Sequence, residues 1–252
     1  MDTITETENK HIVGEEKETH ISHKKKFELT TPAAIVIGSI IIAISHIAYG
    51  ALVGPSNTQP ATLFAGAPIS EKDFPTGDLK SEVVVVEYSD TECPFCARLH
   101  PTMTQIQAEY KDRATFVYRY FPLTQIHPNA FAEAQAIECV GKQLGADKRR
   151  EYIDQMFQYK ITNNSMTLPK NGKEDLAKNF GVNMVTFNSC VAGDESSLAV
   201  NAGIQDGVAA GVTGTPATII LKRDGDDYEV FALIEGAREY EYFKAALDAA
   251  LE

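Results

Sequence analysis

The sequence predicts an α/β protein: a small central sheet with helices on both faces and a helical insertion in its middle, preceded by one transmembrane helix. Three observations lead there. Val83-Val84-Val85-Val86-Glu87-Tyr88 is a continuous apolar run rich in β-branched residues, the pattern of a central buried strand. From Asn129 to about Gly211 the apolar residues follow helical rather than alternating spacing. From Pro32 to Val53 the chain carries no Asp, Glu, Lys or Arg for 22 residues, enough to cross a hydrocarbon core of about 30 Å as a helix.

Composition narrows the function classes. Hydrophobic residues at 44% and charged residues at 23% fit a globular protein, so most of the chain should fold. A net charge of −12 argues against nucleic acid as a partner, because a phosphate backbone needs a basic footprint. Four cysteines with a single CxxC exclude a zinc site built from two such pairs.

Taken in order, residues 1–31 are polar and lack apolar periodicity, which reads as a disordered cytoplasmic tail. His11, His20 and His23 are then solvated tail residues rather than a metal cluster. Residues 32–53 read as an uncleaved anchor. Lys24-Lys25-Lys26 before it place the N-terminus in the cytoplasm and the rest outside, on a single-pass protein of the cell membrane. Ala48-Tyr49-Gly50 leaves a cleaved signal peptide as the alternative, although a polar leader of about thirty residues is long for one. Residues 54–77 hold Pro55, Pro60, Pro68 and Pro75, a density no helix survives, and are expected to be a linker.

The folded domain is expected over 78–252, with the helical insertion at about 127–211. Val83–Tyr88 is followed by a helix from Ala97 to Tyr110 and by a second strand, Thr115-Phe116-Val117-Tyr118-Arg119-Tyr120-Phe121, rich in aromatic and β-branched residues. The insertion breaks at Gly145 and around Pro169 to Gly172. Ala217–Leu221 and Tyr228–Ile234 are short strands joined by Asp224-Gly225-Asp226-Asp227, a hairpin turn rather than a calcium loop. Tyr240, Phe243, Leu247 and Leu251 recur every three or four residues and mark a closing amphipathic helix.

Cys93-Pro94-Phe95-Cys96 sits where the first strand hands over to a helix. A helix N-terminus carries about half a positive charge and unpaired N–H groups, so it favours a thiolate in its first turn. Pro94 costs the helix nothing at that position. The spacing lets Cys96 attack Cys93 when the latter is held in a mixed disulfide. These residues suit thiol–disulfide exchange.

Glu87-Tyr88-Ser89-Asp90-Thr91-Glu92-Cys93-Pro94-Phe95-Cys96, then Arg119-Tyr120-Phe121-Pro122-Leu123 with His127-Pro128, then Gly211-Val212-Thr213-Gly214-Thr215-Pro216-Ala217 resemble the DsbA family of thioredoxin-fold proteins in its membrane-tethered bacterial form. The resemblance covers about residues 67–252. It implies Cys93 as the exposed nucleophile and Cys96 as the buried resolving cysteine, with their disulfide as the redox centre and no other cofactor. It implies that Thr215 and Pro216 form the cis-proline loop beside that disulfide, against an ordinary trans turn as the alternative. Glu87 matches the family's buried acid and would relay protons for Cys96; the alternative is a glutamate that reaches solvent at the sheet edge. His127 is expected to open the insertion rather than take part in catalysis.

Phe95 departs from the family, whose best-known oxidase has His there. Phenylalanine offers a thiolate neither charge nor hydrogen bond, so a less acidic Cys93 is expected, with a reduction potential between about −120 and about −270 mV and nearer the former. Cys139 and Cys190 flank the insertion, and a structural disulfide between them is expected; two small buried hydrophobes, or a second redox pair, are the other readings. Partners would be unfolded exported proteins with free thiols, the membrane through the anchor, and a quinone-linked membrane re-oxidant implied by the family. The function expected is insertion of disulfides into exported proteins. A reductase or isomerase is the nearer alternative, and a protein holding metal on the CxxC thiols the more distant one.

Overall fold

The valine run at residues 83–86 becomes part of strand β3 (Val83–Ser89), which is buried at every position and sits at the centre of a six-stranded sheet. The structure, a computed structural model, describes residues 62–252. β3 pairs parallel with β4 (Thr115–Tyr120) and antiparallel with β5 (Ala217–Asp224). β5 continues as a hairpin into β6 (Asp227–Glu235) through a turn with Gly225 at positive φ. Two-residue strands close the sheet, β1 (Thr62–Leu63) on β6 and β2 (Thr76–Gly77) on β4, giving the order β1-β6-β5-β3-β4-β2.

The period-two alternation of strand side chains divides the apolar residues between two faces. Val83 and Val85 pack with Leu99, Met103 and Ile106 of helix α1 (Pro94–Tyr110) and with Phe243 and Leu247 of the closing helix, Tyr240–Ala250. Val84, Val86 and Tyr88 face the other way, with Ile219, Leu221 and Phe121. The insertion is five helices: α2 (Ala130–Leu144), α3 (Ala146–Thr162), α4 (Gly172–Asn179), α5 (Met184–Val191) and α6 (Asp194–Ala209); the closing helix is therefore α7. Ile137, Val140, Tyr152, Ile153, Met156, Phe157 and Phe187 form its core, which is continuous with Cys93, Cys96, Tyr118 and Tyr120 of the site region. Cys139 of α2 and Cys190 of α5 are disulfide-bonded.

The linker expectation needs correction over residues 62–77. Thr62–Gly77 lies on the sheet as a strap, with a short 3-10 turn at Glu71–Asp73 between its two strands. Its proline density rules out a helix but not tertiary attachment. Arg119, 6% exposed, holds it: Nε donates to Asp73 Oδ1 at 2.8 Å and Nη2 to the Ala67 carbonyl at 3.0 Å, while Nη1 donates to Asp206 Oδ2 of α6 at 2.6 Å. Gly77 ends the strap at φ +83°, where an added Cβ would meet the Ala114 carbonyl at 2.4 Å, so no other residue fits there. The tail 1–31, the expected span 32–53 and the linker up to residue 61 lie outside the described residues. Among the described residues no helix is long and apolar enough to cross a membrane.

Candidate active site

Cys93 is the N-cap of α1, in extended conformation, and Pro94 takes the first helical position. The helix therefore starts at the cysteine pair rather than at Ala97, with the thiols in its first turn. Pro94 and Phe95 are exposed, Phe95 by 50%, and the Arg98 guanidinium lies 4.9 Å over the Phe95 ring. Both thiols are free and both are buried. The expected exposure of Cys93 is thus corrected: the residue is 3% exposed and Cys96 is fully enclosed, so the pair is covered by its own Pro94-Phe95 loop and by the chain opposite.

That opposite chain is the segment before β5. The Thr215–Pro216 peptide bond is cis, and Cys93 Sγ lies 3.4 Å from the Thr215 carbonyl oxygen, to which a thiol donates. The Thr215 hydroxyl is buried without a partner. The two sulfurs differ sharply in acidity. The Cys96 thiol donates to Cys93 and, against the cost of burial, with help from the N–H groups of Cys96 and Phe95, pushes the Cys93 thiol down to about 6. Burial pushes the Cys96 thiol well up, and the neighbouring Cys93 sulfur adds to this. One thiolate and one retained proton is the arrangement that a nucleophile and its resolving partner require.

Glu87 lies on β3 with 3% exposure, on the same sheet face as Val85 and Ser89, and its Oε1 has no hydrogen-bond partner. It sits between Tyr118 of β4 and Thr218 of β5 in register. It does not reach solvent at an edge, because β3 is the centre of the sheet.

The sequence reading missed the residues that fasten the active-site loop to the insertion. Three consecutive side chains do this. Asp90 accepts from the Leu123 N–H at 2.7 Å and lies 2.7 Å from His127 Nδ1. The Thr91 hydroxyl donates to Glu133 of α2, which also pairs with Lys160 of α3; Lys160, fully enclosed, donates to the Thr91 carbonyl at 3.0 Å. Glu92 accepts from the Asn129 N–H at 2.6 Å and from its side-chain amide at 2.8 Å. The signal available was the run Asp90-Thr91-Glu92 itself, three polar residues immediately before Cys93. Their partners lie 33 to 75 positions away, where no spacing rule connects them. Among the described residues no group of three or more His, Cys, Asp or Glu is placed to hold a metal ion.

Comparison with known proteins places this architecture. A family model described as thioredoxin matches residues 70–249. In sequence, the chain is 36% identical over 89 residues to the Na(+)/H(+) antiporter NhaA 1 of Mycobacterium sp. (strain KMS), a stretch that is 35% of this chain and 14% of the antiporter. A similar stretch of 73 residues, 29% of this chain and 11% of the other, is 36% identical to NhaA 1 of Salinispora arenicola (strain CNS-205). In structure, DsbA2 of Pseudomonas aeruginosa superposes with a TM-score of 0.56 at 24% identity, covering 73% of this chain and 96% of that one. The catalytic domain of Proteus mirabilis ScsC gives 0.57 at 21% identity, covering 72% and 90%. Wolbachia pipientis α-DsbA1 gives 0.59 at 19% identity, covering 73% and 93%. At these identities the likeness is one of fold.

Proposed function

Since this chain belongs to the thioredoxin family, we propose that it is a thiol–disulfide oxidoreductase that introduces disulfides into exported proteins through Cys93 and Cys96. The observation that carries this reading is the placement of two free thiols at the head of α1, with Cys93 Sγ 3.4 Å from the Thr215 carbonyl oxygen beside the cis Thr215–Pro216 bond, and with Cys93 made more acidic and Cys96 less. In the oxidised protein a substrate thiolate attacks Cys93 Sγ, the Cys93–Cys96 bond breaks, and Cys96 leaves as a thiolate that takes up a proton. A second substrate thiolate then attacks the substrate sulfur of the mixed disulfide, and Cys93 leaves as a stabilised thiolate. Two electrons pass from the substrate dithiol to the protein. A quinone-linked membrane partner would take them on. The antiporter match covers 14% of that protein, so ion transport does not come with it.

A second reading, reductase or isomerase, has one observation in its favour. A Cys93 value of about 6 lies closer to thioredoxin's, about 7, than to DsbA's, about 3.5. Each unit of thiolate stabilisation is worth about 1.4 kcal/mol, or about 30 mV in a two-electron couple. A Cys93 less acidic than DsbA's makes the disulfide less oxidising than DsbA's, so the potential is expected below about −120 mV and above thioredoxin's about −270 mV. Equilibration with glutathione buffers measures it, with Cys139→Ala/Cys190→Ala as a control for the second pair. A potential at or below thioredoxin's rejects the oxidase and leaves the reductase.

The extracytoplasmic placement is part of the proposal and rests on the charge-free stretch 32–53 after Lys24-Lys25-Lys26. Protease added to intact spheroplasts should digest the domain and spare an N-terminal epitope in the membrane. A soluble form beginning near Ala51 would establish cleavage instead.

A further inference from the structure

Asp90 stands in the turn between β3 and the cysteine pair, and its side chain is fully enclosed. Three donors converge on it. The Glu92 N–H bonds Oδ1 at 2.8 Å within the turn, the Leu123 N–H bonds Oδ2 at 2.7 Å from the loop after β4, and His127 Nδ1 lies 2.7 Å from the same oxygen. A carboxylate only accepts, so Nδ1 is the ring nitrogen that carries the hydrogen. The loop presents its two donors as one piece, because the Ile126 and His127 N–H groups fold back on the Leu123 carbonyl at 3.0 and 2.9 Å.

The main chain of Asp90 in turn holds both cysteines. Its carbonyl accepts from the Cys93 N–H at 3.1 Å, and its N–H donates to the Cys96 sulfur. A buried carboxylate beside a thiolate is a like charge, and it opposes ionisation unless something offsets it. Among the described residues His127 is the one side chain that brings a basic nitrogen to Asp90. The other charged groups around the turn are engaged elsewhere. Lys160 is bonded to Glu133 and to the Thr91 carbonyl, Glu133 also accepts from the Thr91 hydroxyl, and Glu92 accepts from Asn129 and from the Thr167 hydroxyl at 3.3 Å. These ties fasten the turn to the insertion independently of His127.

We propose that Asp90 and His127 are a positioning pair for the two cysteines: the carboxylate holds the main chain that bonds both, and the imidazole offsets its buried charge so that it does not oppose the thiolate. The inference deepens the oxidoreductase reading and rests on it. Both residues act through the Asp90 main chain and the field across the turn, not on the reacting sulfurs themselves. A thiolate left opposed makes the reduced form less stable, and the disulfide is then a weaker oxidant. His127 thus joins the insertion to the redox centre from its place three residues before α2.

The test uses the full chain and two readouts, the pH midpoint of iodoacetamide alkylation of reduced Cys93 and the equilibrium with glutathione buffers. His127→Leu should raise the midpoint by about one unit and weaken the protein about tenfold as an oxidant of glutathione. His127→Asn should keep most of the parent's behaviour, because its amide nitrogen stands where Nδ1 stood. Asp90→Asn/His127→Leu removes the charge that needed offsetting, so it should bring the midpoint back towards the parent's; a merely structural disturbance would carry it further away. Thr167→Ala, which takes a donor from Glu92 in the same turn, is the control and should leave the midpoint in place. An unchanged midpoint in His127→Leu, an Asn variant as impaired as the Leu one, a double variant shifted further, or an equal shift in Thr167→Ala each overturns the pair. If His127→Leu fails to fold, His127→Gln decides, since its amide falls where Nε2 stood and leaves Asp90 without its donor. A raised midpoint then supports the pair and an unchanged one overturns it. A parent chain that exchanges with no glutathione at all removes the oxidoreductase reading instead, and the alkylation midpoints still decide the pair.

Discussion

Cys93 shows how much a single position can owe to its surroundings. An ordinary cysteine titrates near about 8.5. Here the donating Cys96 thiol and two helix N–H groups bring Cys93 to about 6 even though burial opposes ionisation. The folded value lies below the unfolded one, so the thiolate's contribution to stability is present in full above about pH 8.5 and is lost as pH falls through about 6. Alkylation of reduced Cys93 should therefore be half-maximal near pH 6, with Cys96 unlabelled at neutral pH. The urea midpoint of the reduced form should rise between those limits and fall again above about pH 8.5, where unfolded Cys96 ionises while the folded thiol keeps its proton, and Cys93→Ala should abolish the rise. A midpoint of alkylation near pH 8.5 would sink this account of the site. At this scale the sequence was informative about chemistry and poor about exposure. The CxxC at a strand–helix junction announces the thiols, but whether the residues between them cover or uncover the sulfur depends on the path of the Thr215 segment, 122 positions on.

Among the elements, those with an internal pattern were legible and those without one were not. The valine run, the aromatic Thr115–Tyr120 strand, the hairpin around Gly225 and the closing helix all declare a period of 2 or 3.6. β1 and β2, at two residues each, have no period to declare, and the prolines around them suggest a linker. What places the strap is one side chain on another element, Arg119, which bonds Asp73 and the Ala67 carbonyl from β4. Arg119→Met should cost about 3–5 kcal/mol, because it leaves the buried Asp206 and the half-buried Asp73 without their cation. Chemical denaturation measures this; a loss below about 1 kcal/mol would show that the strap holds by its apolar contacts at Phe64 and Ile69 instead.

At the scale of the whole molecule, the insertion and the sheet are one mechanical unit at the active site. Asp90, Thr91 and Glu92 attach to three separate places on the insertion, and Glu133 stays paired with Lys160 although burial pushes its carboxyl upward. None of these partnerships follows a local rule, which is why the sequence reading reached the fold class and missed the fastening. Gly203 makes the same point from the other side of the sheet: an added Cβ would stand 2.7 Å from the Tyr120 carbonyl, so α6 seats on β4 only through a glycine.

The strap has one more consequence. A single segment supplies the outermost strand at both borders of the sheet, β1 on β6 and β2 on β4. Open borders are templates on which stray extended chains can add, and a protein proposed to work among unfolded clients meets such chains continually. By laying its own chain along both borders, the molecule shortens the row of free amides and carbonyls it presents to them. Releasing the strap should turn a handler of unfolded chains into a seed for their aggregation, so Arg119→Met should scatter light with a reduced unfolded client at concentrations where the parent solution stays clear; a clear solution would show that the borders are guarded by other means.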